Sequence, residues 1–186
     1  PMEAAITRWY YNDAKRILRS MPHLTIIGIT GSFGKTSTKH FLHRVLSERY
    51  NVLMTPGNFN TTLGVVRTIR EHLKPHHEVF IVEMGAKQRG DIKEICDLVC
   101  PHMGIVTSVG EMHLETFGSV ENVARTKFEL IDALPAGGFG IVNIDSEAAL
   151  KHIKANGIKV KTYAIDSCEA DYRATDIVYS SQRTTF

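Results

Sequence analysis

Cysteine is scarce in this sequence, three in 186 residues, and the odd count without paired-motif spacing excludes a disulfide framework and suits a reducing compartment. Cys96 and Cys100, in "DIKEICDLVC", fall on the apolar stripe of Ile92, Ile95 and Val99 and are read as core thiols. No apolar run approaches the roughly 18 residues of a membrane span. No signal-peptide pattern opens the chain, so neither a spanning helix nor a secretory leader is expected. Net charge is also small: 22 Lys and Arg against 20 Asp and Glu give +2, with no run of like sign, which argues against a nucleic-acid partner. Internal repeats and low-complexity tracts are missing as well. Anion binding, if present, must be local.

What is present is an alternation of short apolar runs with amphipathic ones, the pattern of βαβ units and a parallel sheet. The fold class expected is α/β, a mostly parallel sheet flanked by helices. Strands are expected near 24–29, 52–55, 79–84, 104–109, 139–144 and 160–165, and helices near 35–49, 61–73, 91–99, 120–134 and 146–155. "EAAITRWYYNDAKRILRSM" reads as a helix leading into the first strand, and the tail "DYRATDIVYSSQRTTF" as the start of further strand. The chain starts at Pro1, which is read as a cut from something longer.

The segment "GITGSFGKTSTK", Gly28 to Lys39, follows the first strand and opens a helix. It misses the common GxxxxGK[ST] spacing, because Ile29 stands where the first glycine belongs. The physics survives the irregular spacing. A strand, a glycine-rich turn and a helix N-terminus aim backbone N–H groups and the positive dipole end at an anion. Lys35 is then in reach of terminal phosphates, and the Thr36 hydroxyl is placed to ligate magnesium. The helix carries Phe41, Leu42, Val45 and Leu46 on one face.

In an open parallel sheet, ligands bind beyond the carboxyl ends of the strands. Glu83 in "VEMGA" ends a strand, where a carboxylate is costly unless a cation or donor meets it. His113 sits in "GEMHLETFGS" after the next strand. In "SVENVARTKFELIDAL", Lys127 falls within the inward stripe of Val120, Val123, Ala124, Ile131 and Leu134, while Glu121, Arg125 and Glu129 form an i,i+4 ladder on the polar face. An inward lysine must snorkel, pair or be chemically altered. In "TPGNFNTTLGV", Asn58 and Asn60 read either as turn formers and an N-cap or as contacts to a substrate.

Together "GITGSFGKTSTK", "TPGNFNTTLGV", "VEMGAKQRGDI", "TSVGEMHLETFGSVENVARTKFELI" and "GIVNID" resemble the Mur ligase family, ATP-dependent amide-forming enzymes of peptidoglycan precursor synthesis. The resemblance implies a P-loop NTPase-like central domain over 23–186, incomplete at its C-terminal end, with 1–22 as a helical lead-in and the family's substrate and C-terminal domains absent. It implies that Gly31, Ser32, Gly34, Lys35, Thr36 and Ser37 hold the phosphates of ATP. Thr36 and Glu83 would hold one Mg2+ and His113 would help hold a second, with Lys35, Glu83, His113 and Lys127 as the catalytic set. Lys127 matches a lysine that is carbamylated in several members, the alternative being a plain snorkelling lysine. Asn58, Asn60 and Thr61 match a loop on the substrate side.

"GNFN", "EMGA" and "HLETFGS" point to the branch that joins D-alanyl-D-alanine to a UDP-N-acetylmuramoyl-peptide, through an acyl phosphate. The implied setting is cytoplasmic, and this fragment is expected to have no ligase turnover of its own. Two alternatives stay open: another amino-acid ligase of the family, folylpolyglutamate-type or cell-wall amidating, or a non-catalytic nucleotide-binding module.

Overall fold

A computed structural model describes residues 2–111 and 114–186. Seven strands form one sheet in the order β2-β3-β1-β4-β5-β6-β7, every adjacent pair parallel. They are β1 (Thr25–Thr30), β2 (Val52–Met54), β3 (Val79–Glu83), β4 (Met103–Val106), β5 (Phe139–Asn143), β6 (Lys161–Ala164) and β7 (Tyr172–Arg173). The helices are α1 (Met2–Arg19), α2 (Lys35–Leu46), α3 (Thr62–His72), α4 (Asp91–Val99), α5 (Leu114–Phe117), α6 (Val120–Asp132) and α7 (Glu147–Asn156). The tail adds β7 and an antiparallel pair, β8 (Val178–Tyr179) with β9 (Thr184–Thr185). Among the described residues no helix is long and apolar enough to cross a membrane.

Period-two alternation in the strands decides which helix each residue meets. In β1 and β3, Ile27, Ile29, Val79 and Ile81 pack with Leu42 and Leu46 of α2. Ile26, Phe80 and Val82 point the other way, into the larger core shared with α1, α3, α4 and α6. Glu83 continues the Val79–Ile81 row and so emerges on the α2 side. The residues of α2 that face the sheet are spaced Lys35, Lys39, Leu42, Leu46. Phe41 and Val45 are instead 75% and 69% exposed, contrary to the single apolar face expected for them.

The seat of α6 is a row of glycines in register across three strands, Gly28 beside Gly104 and Gly104 beside Gly140. A Cβ on Gly28 would stand 2.6 Å from Leu130 Cδ1, and one on Gly104 3.0 Å from Leu130 Cγ. The bare backbone lets α6 approach closely, and this fixes where Lys127 lies, one turn before Leu130.

Cys100 and Glu129 lie elsewhere than their spacing indicated. Cys96 is buried, but Cys100 is exposed at the left-handed C-terminal cap of α4, with φ 49°. Having ended the helix, it leaves the apolar stripe. Glu121 and Arg125 pair at 3.5 Å, but Glu129 turns away from that ladder. It accepts the backbone N–H groups of Gly90 at 2.8 Å and Lys93 at 2.9 Å. Gly90 brings no side chain to cap α4, so α6 supplies the acceptor that the first turn needs.

Candidate active site

The site gathers beyond the carboxyl ends of β1, β3 and β4. Strand order reverses around β1, whose neighbours are β3 and β4, so the loops after these strands leave in divergent directions and open a crevice. The loop after β1 fills it. Gly31 has φ 148° and Gly34 φ 78°, conformations that L side chains rarely adopt, and together they turn the chain into α2.

The loop is held from the β4 side. Ser32 N–H donates to the Ser108 carbonyl at 2.9 Å, Phe33 N–H to Ser108 Oγ at 2.8 Å and Thr107 Oγ1 to the Phe33 carbonyl at 2.6 Å. Gly110 N–H donates to Ser32 Oγ at 3.0 Å. Gly34 occupies the N-cap of α2 with no side-chain cap among the described residues. The first-turn N–H groups, with Thr36 and the exposed Ser37, therefore form the positive end of the helix.

Lys35 folds over its own loop, donating to the carbonyls of Gly31 at 2.7 Å and Ser32 at 3.2 Å. Burial lowers its pKa, with the Glu83 charge opposing. Thr36 Oγ1 donates to Glu83 at 3.1–3.2 Å. Glu83 is 1% exposed, and two further donors meet it: Asn60 Nδ2 at 3.2 Å and Lys39 Nζ at 2.8 Å. Lys39 is the member of this cluster that the sequence reading did not single out. Its signal was present in the i,i+4 spacing from Lys35 and the i−3 spacing from Leu42, which put it on the sheet-facing stripe.

The loop after β2 closes the crevice. Thr61, not Asn58 or Asn60, is the N-cap of α3, accepting Gly64 N–H at 3.3 Å. Asn60 spends its side chain on Glu83, and its carbonyl accepts Gly85 N–H at 2.7 Å. Asn58 is exposed and contributes its carbonyl to Asn60 N–H. His113 lies outside the described residues.

A cleft of about 650 Å³ runs from the glycine-rich loop after β1 to α1, with Lys35, Asn60, Thr61, Lys127, Thr7 and Tyr11 among its walls. Lys127 is 4% exposed, which makes it inward-facing as its position in the apolar stripe required. Burial pushes its pKa down to about 8, the Lys35 charge adds to the effect, and Glu129 and Asp91 oppose it. Below about pH 8 both folded and unfolded chains hold the proton, and the full cost of burying the cation is present. Between 8 and 10.5 the unfolded chain holds more protons, so stability rises with pH across that window. The gain relative to Lys127→Met is expected to approach ~3 kcal/mol. Urea midpoints of the two proteins at pH 7 and pH 10 check it; a constant difference would contradict the burial cost.

The Mur ligase middle domain family model matches residues 29–186. The chain is 33% identical over 181 residues to the UDP-N-acetylmuramoyl-tripeptide–D-alanyl-D-alanine ligase of Escherichia coli, covering 97% of this chain and 40% of that protein. It is 35% identical over 161 residues to the ligase of the same name from Bacillus subtilis, covering 87% and 34%. Among solved structures, MurF ligase from Thermotoga maritima in complex with ADP superposes with a TM-score of 0.85 at 29% identity, covering 95% of this chain and 40% of that one. The chain thus spans well under half the length of the relatives it matches.

Proposed function

We propose that this chain, which belongs to the Mur ligase family and carries its middle domain, supplies the ATP site of a ligase that adds D-alanyl-D-alanine to a UDP-N-acetylmuramoyl-tripeptide. The observation that carries the reading is the convergence of Lys35, Thr36 and Glu83 at an uncapped helix N-terminus, on one wall of a cleft whose other wall holds Asn60, Thr61 and Lys127. The names of the similar proteins support the choice of acceptor.

In this reading the first-turn amides of α2 and the loop backbone cradle the phosphates of ATP, and Lys35 leaves the carbonyls of Gly31 and Ser32 for the transferring phosphoryl group. The terminal carboxylate of the tripeptide attacks the γ-phosphorus and ADP leaves. The amine of D-alanyl-D-alanine then attacks the acyl carbon, phosphate departs, and the amine loses a proton as the amide forms. The cleft keeps water from the acyl phosphate in the interval.

Magnesium fits the donor set. Thr36 donates its O–H as a hydrogen bond to Glu83, which leaves the lone pairs of the hydroxyl oxygen available, and both are hard oxygen donors suited to a cation that also binds phosphate. When bound, it neutralises charge on the phosphate oxygens. Lys127, its pKa near 8, has a population of neutral amine close to physiological pH, as carbamylation requires.

The 1–22 segment is assigned as a lead-in helix and 23–186 as the central domain. Because the chain covers 40% and 34% of two relatives named as ligases, amide formation is assigned to this domain acting with further domains like theirs, and the 186 residues alone are expected to bind nucleotide without ligating. The test is phosphate release by the full-length protein with ATP, magnesium and UDP-N-acetylmuramoyl-tripeptide. Release that requires D-alanyl-D-alanine is the expected result. Release driven instead by another amine would reassign the acceptor, and nucleotide binding without release under any amine would favour a non-catalytic module.

A further inference from the structure

We propose that Lys39 is a positioning residue of the nucleotide site, a buried cation that fixes the Glu83 carboxylate and locks the 55–61 loop to it. This rests on the ATP-binding reading above. Lys39 is 0% exposed, among the largest fully buried side chains in the chain. A lysine in that position is retained only if its ammonium is paired. Its Nζ lies 2.8 Å from Glu83 Oε2 and donates to the Gly57 carbonyl at 2.6 Å.

Those two contacts join parts of the molecule with different jobs. Glu83 is the carboxylate beside Thr36 at the phosphate loop, whereas Gly57 belongs to the loop that borders the cleft with Asn60 and Thr61. Asn60 reaches the other oxygen of the same carboxylate, so Lys39, Glu83, Asn60 and the Gly57 carbonyl close a ring. The ring fixes the direction in which Glu83 presents its lone pairs. It also balances the carboxylate charge before any metal ion arrives, so phosphates can enter the site without meeting a bare anion.

Charge balance separates this role from mere packing. Without Lys39, Glu83 repels phosphates when no cation is present, while bound magnesium restores the balance. Equilibrium binding of ATP to the full-length protein, with magnesium and with chelator, reads the difference. For Lys39→Met, metal-free ATP affinity is expected to fall at least about tenfold, and MgATP affinity by the smaller factor of about threefold that a Glu83 carboxylate no longer held in direction costs. Lys39→Arg, which keeps the charge, should hold both within about threefold.

Equal losses with and without magnesium would show a packing role and overturn the proposal, as would no loss in either. Should Lys39→Met fail to fold, the double variant K39M/E83Q decides: recovery of folding supports a charge pair, and failure overturns it. If the unsubstituted protein does not bind MgATP, the ATP-binding reading itself has failed, and that outcome is visible before any variant is made.

Discussion

Replacing Lys35 with alanine is expected to lower ligation by about 10³-fold while changing stability by less than ~1 kcal/mol. The two effects separate because of what Lys35 touches. Its ammonium is only partly buried and bonds two carbonyls of its own loop, Gly31 and Ser32, while the β4 side holds that loop at Ser32 and Phe33 through Ser108 and Thr107 whether or not Lys35 is there. Removing the side chain therefore costs the fold little. The charge is a different matter, since phosphoryl transfer gives the protein little covalent chemistry to do and leaves catalysis to positioning and electrostatics. Single-turnover phosphate release beside a urea melt measures both quantities. Ligation left intact in Lys35→Ala would remove Lys35 from the mechanism, and a large loss of stability would mean that the loop depends on it for folding.

Glu83→Ala carries the larger structural penalty. It leaves the Lys39 ammonium fully buried with the Gly57 carbonyl as its remaining partner, and deprives Thr36 and Asn60 of their acceptor. Breaking a buried pair on one side costs about 3–5 kcal/mol, because the surviving charge is neither solvated nor matched. Nucleotide binding should also lose its preference for magnesium, since the carboxylate that would share the cation with Thr36 is gone. The urea midpoint of the free protein tests the first point, and its shift with MgATP against that with ATP and chelator tests the second. A loss below about 1 kcal/mol would mean that water reaches Lys39 in the variant and that the pair is not sealed.

Much of the fold was legible because α/β order rests on local chemistry. Apolar β-branched runs alternating with helical periodicity placed six strands of the sheet and the helices between them to within a few residues. The misreadings share a cause. Spacing says which residues lie on one side of a helix, but not which way that side is turned: α2 presents Lys39, Leu42 and Leu46 to the sheet and leaves Phe41 and Val45 in solvent. Likewise Glu129 read as one rung of a surface ladder, because nothing near it in sequence announces that the N-terminus of α4 needs an acceptor. Cys100 looked apolar and buried until the chain's left-handed turn took it off the helix.

By itself the sequence determined the glycine-rich turn from β1 into α2, the parallel α/β order and the inward lysine at 127, since each follows from residue type and spacing along a few turns or one strand. Only the tertiary structure decided that Thr36, Lys39 and Asn60 meet on one carboxylate. Thr36 and Lys39 come from α2, Asn60 from the loop after β2 and Glu83 from β3, and the meeting depends on the pairing of β3 between β1 and β2 and on the rotation of α2 against that sheet. Such a junction has no local signature because its energy comes from desolvating charges that are far apart in the chain. That energy is realised only once the strands are in register and water has been excluded.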